Sequence, residues 1–195
     1  SQMRQSDVVA ATPASSASQP PPSVISAAVE VRLIDITTPL QHLQVSTVGG
    51  NVVSLELPGY ERAHGGTVNL LTEGGRGLVL TLESETGRGE VIDLSQVHFE
   101  PDRERLDVDE HGEGQLLLRA ELGDGRVVEK TITAHGDGYG IDVGVRLVGF
   151  DEGTMLFAHW KGGVDLAERD ADLDLMAMKA MAYLNESKSD ITVDE

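Results

Sequence analysis

The sequence predicts an all-β protein, an antiparallel β-sandwich, and three observations carry that prediction. Short runs of alternating apolar residues recur from Val29 to Trp160, turn signals separate them, and no amphipathic helix lies between one run and the next. A parallel sheet would need long crossover connections, normally helices, between its strands. The chain of 195 residues suffices for one domain with a real core, and 39% hydrophobic residues can fill it. Aromatic residues make up only 4%, so Val, Leu, Ile, Ala and Met must supply that core.

Along the chain, residues 1–28 form an Ala/Ser/Pro-rich stretch that is uncharged from Val8 onward. It offers little to bury, so it is expected to be a disordered linker. The sandwich is expected over 29–160. Val29, Val31 and Leu33 alternate in a first strand. Leu43, Val45 and Thr47 line a second, which breaks at Gly49-Gly50 and resumes with Val53, Leu55 and Leu57. Two glycines that accept positive φ allow a tight reversal there. "TVNLL" and "GLVLTL" follow as strands across a glycine-rich turn, then "QVHFE" and "ERLDVDE" around Pro101. "GQLLLRAELGDGRVVEKTIT" is the clearest hairpin, because Asp124-Gly125 suits a type I′ turn. Tyr139, Ile141, Val143, Val145 and Leu147 alternate strictly with other residues and predict one buried face. "TMLFAHW" supplies a further strand. The segment 161–195 is expected to continue the same domain. It reads either as partly helical, with Leu173, Met176, Ala177 and Ala180 on one face, or as the start of further strands.

Charge and composition exclude several function classes. A net charge of −18 repels nucleic acid and anionic membrane surfaces. With no cysteine, neither a disulfide framework nor a thiolate metal site can form. No apolar run reaches the roughly 18 residues that a membrane-spanning helix requires.

Motifs for catalysis are missing. Asp107-x-Asp109-x-His111-Gly112 opens like a calcium loop, but Leu118 stands where the bidentate glutamate belongs. Asp170, Asp172 and Asp174 fail in the same way, with Leu175 in place of the loop glycine. The six histidines (His42, His64, His98, His111, His135 and His159) show no metal-site spacing. No phosphate-binding glycine loop and no nucleophile elbow occurs. Trp160, the single tryptophan, reads as a packing residue at a strand end, with His159 beside it partly buried. No catalytic, cofactor-binding or metal-ligating residue is assigned, and no cofactor is expected.

Four segments in order carry a family resemblance. "TPLQHLQVSTVGGNVVSLELPGY" resembles the opening of the large periplasmic domain of bacterial YidC membrane protein insertases, with its Gly-Gly turn, second strand and closing tyrosine. "VNLL" follows like that family's next short strand. "GDGRVVEKTITAHGDGYGIDVGVRL" is similar to the family's hairpin, with Lys130-Thr131 in the returning strand. "HWKGGVDLAERD" resembles the Trp-Gly and acidic segment after it, and "AMAYLNES" the start of the next strand. The match runs over residues 36 to 185.

The resemblance implies a β-supersandwich similar to galactose mutarotases, here the first half to two thirds of it, so that a sheet edge is left exposed. It implies a non-catalytic accessory domain on the periplasmic side of the bacterial inner membrane, tethered by a transmembrane helix outside this chain. Protein–protein contacts with Sec translocon components and nascent membrane proteins would then assist insertion and folding, a chaperone-like part of protein transport. Insertion itself would belong to a helical membrane core that this chain lacks. The alternative is a carbohydrate-binding or aldose-epimerase-like domain, since the fold relatives act on sugars. A purely structural β-sandwich is the third reading.

Overall fold

The computed structural model describes residues 30–62, 65–84, 90–162, 180–184 and 187–191. The expected linker and the helix-like stretch before Ala180 lie outside them. The described residues form strands β1 (Leu33–Thr37), β2 (His42–Ser46), β3 (Val52–Glu61), β4 (Thr67–Asn69), β5 (Arg76–Ser84), β6 (Val91–Asp93) and β7 (Glu100–Pro101). These continue with β8 (Arg105–Asp107), β9 (Glu113–Gly123), β10 (Arg126–His135), β11 (Ile141–Val148), β12 (Thr154–Lys161), β13 (Ala180–Leu184) and β14 (Ser187–Ile191). One 3-10 turn, Leu94–Gln96, precedes β7 and is capped by the Asp93 carboxylate, which accepts from the Ser95 amide.

Two sheets make the sandwich. The larger has the order β12-β5-β3-β2-β1-β8, with β4 beside β3 and β6 beside β5. The smaller has the order β11-β10-β9-β7. Ile34, Ile36, Leu43, Val45, Val52, Leu55, Leu80 and Leu82 face inward from the first sheet. Leu116, Leu118, Ala120, Val128, Ile132 and Ala134 meet them from the second, and Phe99 fills the space between. Each fully buried aliphatic or aromatic side chain contributes about 1.5–3 kcal/mol, which makes this cluster the main source of stability.

The predicted hairpins form where turn chemistry specified them. β9 and β10 pair from Glu113↔His135 to Arg126↔Gly123. Their turn uses Asp124 at φ 52° and Gly125 at φ 75°, as a type I′ turn requires. β13 and β14 pair from Ala180↔Ile191 to Leu184↔Ser187, so this part of the C-terminal segment is strand and not helix.

The structure corrects four readings of the sequence. β1 begins at Leu33, and its core positions are Ile34 and Ile36, while Val31 and Leu33 stay exposed. The buried positions lie one residue out of phase with the alternation Val29, Val31, Leu33, and such a shift exchanges the two faces of a strand. β8 pairs with β1 in parallel, so the sheet is not purely antiparallel. In β3 the register shifts against β2 between Gln44 and Val45, an irregularity that turns Val52 and Leu55 inward together and leaves Val53 and Leu57 half-buried. In β11 the alternating residues Ile141, Val143, Val145 and Leu147 are only half-buried, and Tyr139 is exposed. That strand lies at the edge of the smaller sheet, where the facing sheet covers it incompletely.

Candidate functional site

The loop between β2 and β3 is the first place where the fold brings distant residues together. Gly49 and Gly50 have φ of 79° and 56°, the left-handed region in which glycine is unstrained. The Gly49 amide donates to the Val97 carbonyl, and the Phe99 amide to that of Thr47, so the loop is stitched to the segment after the 3-10 turn. Beneath it lies Lys130. In β10 the inward positions read Val128, Lys130, Ile132 and Ala134, and the lysine is as buried as its neighbours. Its Nζ donates to the Gly50 carbonyl at 2.6 Å and to the Leu78 carbonyl at 2.8 Å. Leu78 is held at φ 59°, a strained conformation for a leucine in a strand. No carboxylate among the described residues lies within ion-pair distance of Lys130. Burial pushes the lysine down to about 8, because the core penalises its charged form. This buried amine clamps two strands and a turn together. Fully enclosed, it has no access to a substrate. The sequence signal for it was present, since a lysine stands in phase with the apolar positions of a strand.

Among the described residues the histidines and acids form separate surface pairs. His42 Nε2 lies 3.0 Å from Asp35 Oδ1, and its Nδ1 lies 3.7 Å from Glu56, on the half-exposed outer face of β1–β3. His135 Nε2 lies 2.8 Å from Asp142, with Glu113 at 3.7 Å. His111 is exposed in a turn, and His159 is exposed and stacked with Phe157 at 6.5 Å between centroids, where partial burial was expected. His64 and the Asp170–Asp174 run lie outside the described residues. Asp107 bonds Arg105 at 2.6 Å, and the Asp109 carbonyl closes a turn with the Gly112 amide. That is an acidic surface turn. Among the described residues no three His, Asp or Glu side chains gather as a metal site.

The hydrogen bond that His135 donates to Asp142 raises the affinity of the imidazole for its proton. Stability from this pair is fully present below the ordinary histidine value of 6.5 and is lost as pH rises through the higher folded-state value. The variant Asp142→Asn is expected to lose that slope in urea-denaturation midpoints measured across neutral pH. An unchanged slope would show that the pair contributes nothing.

A cleft of about 490 Å³ lies over the β7–β9 edge, lined by His98, Glu100, Asp102, Leu117, Arg119 and Glu121 among others. Sugar epimerisation would need an acid and a base here, both free to face the sugar. Two of the cleft's acids are instead committed to other partners. Hydrogen bonds from Arg32 and His98 hold Glu100 below its usual range. Burial raises Asp102, but Arg103 and the Leu117 amide outweigh it and hold that carboxyl low. The smaller cleft, about 130 Å³, is lined by Glu90, Arg126 and Phe150 among others. Arg126 stacks over Phe150 there at 5.9 Å and reaches Glu90 at 3.4 Å, so its guanidinium is engaged.

The remaining candidate is a surface. β12 sits at the end of the larger sheet, paired on one side with β5 from Thr154↔Ser84 to Lys161↔Arg76. Met155, Leu156, Phe157 and Trp160 are each exposed by 40–45%. Trp160 is a rim residue: it lies over Gly77, where an added Cβ would stand 2.7 Å from its ring. Apolar exposure of this kind on a strand edge marks an interaction surface or an aggregation hazard.

Comparison with known proteins agrees with the quoted segments as far as residue 163. A family model described as the YidC periplasmic domain matches residues 33–163. Two curated relatives, both named membrane protein insertase YidC, come from Coxiella burnetii strains RSA 331 / Henzerling II and RSA 493 / Nine Mile phase I. Each is 33% identical over 118 residues, which cover 57% of this chain and 20% of the relative. The chain thus spans a fifth of the length of the curated relatives that it matches.

Proposed function

The chain belongs to the YidC periplasmic domain family, and from that premise we propose that it is a non-catalytic accessory domain of a membrane protein insertase. It works by protein–protein contact at the periplasmic side of the inner membrane, assisting the insertion and folding of membrane proteins. Sec translocon components and nascent membrane proteins are the partners in this reading. In this reading residues 29–160 are its sandwich, 161–195 the C-terminal segment of the same domain and 1–28 a linker.

The observation that supports a contact role is the exposed apolar edge of β12, with Met155, Leu156, Phe157 and Trp160 at the surface. The observation that speaks against sugar chemistry is that Glu100 and Asp102 in the larger cleft are already bonded to Arg32, His98 and Arg103. No helix among the described residues is long and apolar enough to cross a membrane, so the reading assigns this part contact and not translocation.

The test places a photoreactive residue at Met155 in the full-length insertase and follows insertion of a membrane protein. Crosslinks to translocon subunits or to the nascent chain are expected, and deletion of the domain is expected to slow insertion. Crosslinking no stronger than that of an unrelated acidic domain would overturn the proposal. So would mutarotation seen by polarimetry and abolished by His98→Ala.

A further inference from the structure

The larger sheet consists of two halves joined at one point. β3 and β5, both described along their whole length, pair at Val52↔Gly77 and at no other position. Beyond that pair β5 takes β12 and β6 as its partners. One half is therefore β8-β1-β2-β3 with β4, and the other is β12-β5 with β6. Neighbouring strands ordinarily share a ladder of backbone hydrogen bonds, and here the ladder has a single step.

β5 is bent at this junction. Val79 stands opposite His159 and Arg76 opposite Lys161, so Gly77 and Leu78 together face the one residue Trp160, which makes a β-bulge. The Trp160 ring lies against Gly77. Leu78 carries the strain, at φ 59°. Such strain persists only where the surroundings enforce it, and it clusters at switch regions. Lys130 supplies the enforcement from the smaller sheet. Its Nζ bonds the Leu78 carbonyl on one half and the Gly50 carbonyl, just before β3, on the other. One side chain thus ties both halves to the facing sheet. Beside the bulge the Thr72 hydroxyl donates to the Gly162 carbonyl, a tie close to the pivot. Beyond the far end of β5, Arg126 of β10 reaches Glu90 at 3.4 Å, a partly exposed pair that water weakens.

We infer that the Gly77–Leu78 bulge is a hinge on which β5, β6 and β12 swing as a unit away from the smaller sheet, and that Lys130 is the latch that keeps it closed. Opening breaks the Val52↔Gly77 pair and both lysine bonds and parts Leu80 and Leu82 from the core, while the ladder of β5 with β12 is kept. The strain at Leu78 favours opening, and the lysine bonds oppose it. The moving unit carries the exposed Met155, Leu156 and Phe157, so opening changes how that surface is presented. The hinge itself does not rest on the contact role proposed above.

Thiol modification in the full-length protein tests this, read by mass spectrometry of the labelled peptides. Residues 1–195 contain no cysteine, so each engineered thiol is single in this domain. Leu80→Cys places it on the inner face of the moving unit, and Leu43→Cys on the fixed half; both leucines are fully buried. Leu80→Cys is expected to react with iodoacetamide about tenfold faster or more, with the weaker dependence on urea, because a local opening exposes less surface than global unfolding. Lys130→Met is expected to speed both thiols by a similar factor, about tenfold, since the latch breaks in either opening. Ile34→Val, in the core of the fixed half, is expected to speed Leu43→Cys alone.

Equal rates and equal urea dependence of the two thiols would overturn the hinge without relying on a variant of Lys130 or Ile34. So would Ile34→Val speeding both thiols alike. A Leu80→Cys rate unmoved by Lys130→Met, while that of Leu43→Cys rises, would overturn the latch. None of these readouts depends on crosslinks at Met155, so failure of the contact role and failure of the hinge are told apart.

Discussion

Replacing Lys130 by alanine is expected to cost about 3 kcal/mol of folding stability, through a cavity and two orphaned carbonyls. Gly50 and Leu78 would each lose a buried donor, at about 1–3 kcal/mol apiece. Against this stands the relief of an enclosed charge. A lysine depressed from 10.5 to about 8 corresponds to roughly 3 kcal/mol of burial cost while it is protonated. Lys130→Met restores much of the volume and is expected to cost about half as much as alanine. A methionine variant more stable than the wild type would show that the charge outweighs the clamp, and would refute the clamp.

The pH dependence separates the two contributions. The folded state releases the lysine's proton near pH 8, and the unfolded chain near 10.5. Between those values the unfolded state binds more protons, so stability rises with pH, by at most about 1.4 kcal/mol per unit. That gain is complete above the unfolded value and is lost as pH falls through the folded one. A neutral amine still has two N–H groups, enough for both carbonyls, so deprotonation keeps the clamp. The wild type minus Lys130→Met difference in urea-denaturation stability is expected to grow across this window. A flat difference would mean that the lysine is not depressed.

Gly49→Ala is expected to destabilise the domain by about 2–4 kcal/mol, well beyond Gly50→Ala at about 1 kcal/mol. Both residues have positive φ, so the backbone cost is shared. Their surroundings differ. A Cβ on Gly49 would lie 2.7 Å from the Ser95 carbonyl oxygen and 2.2 Å from Asn51 Nδ2. The first is main chain of the 3-10 turn, and the second belongs to a fully buried side chain with little room to move. A Cβ on Gly50 would meet only side-chain ends, Leu118 Cδ1 at 3.3 Å, Phe99 at 3.5 Å and Lys130 Cδ at 3.6 Å. Chemical denaturation of both variants checks the order, and equal midpoints would refute it. Because Gly50 touches Lys130, variants at those two positions are expected to be non-additive, whereas Gly49 acts mainly on the 3-10 turn.

Local patterns were legible where local chemistry decides. Asp124-Gly125 specified its turn, and the ladder of β9 with β10 followed from it. Gly49-Gly50 marked a reversal, and both residues adopt the conformation that glycine allows. The order of these segments was enough to point to the family that the comparison then matched over 33–163. The phase of β1 was not legible: Val31, Leu33, Ile34 and Ile36 are all apolar, and only packing against the smaller sheet selects the last two. The parallel pairing of β1 with β8 joins residues some seventy positions apart, beyond any turn signal. The candidate surface was read as a strand, but its exposure was not, since "TMLFAHW" looks as apolar as a core strand.

By itself the sequence determined the class of fold, the hairpins and the family, because alternation, turn residues and segment order are properties of neighbouring positions. Only the tertiary structure decided which alternating faces are covered, that Lys130 is enclosed beneath the glycine turn, and that Met155, Leu156 and Phe157 of β12 are exposed. The physical reason is that a period of two shows that a strand has two unlike faces. Which of them meets water depends on the opposing sheet, and that sheet is assembled from residues far along the chain.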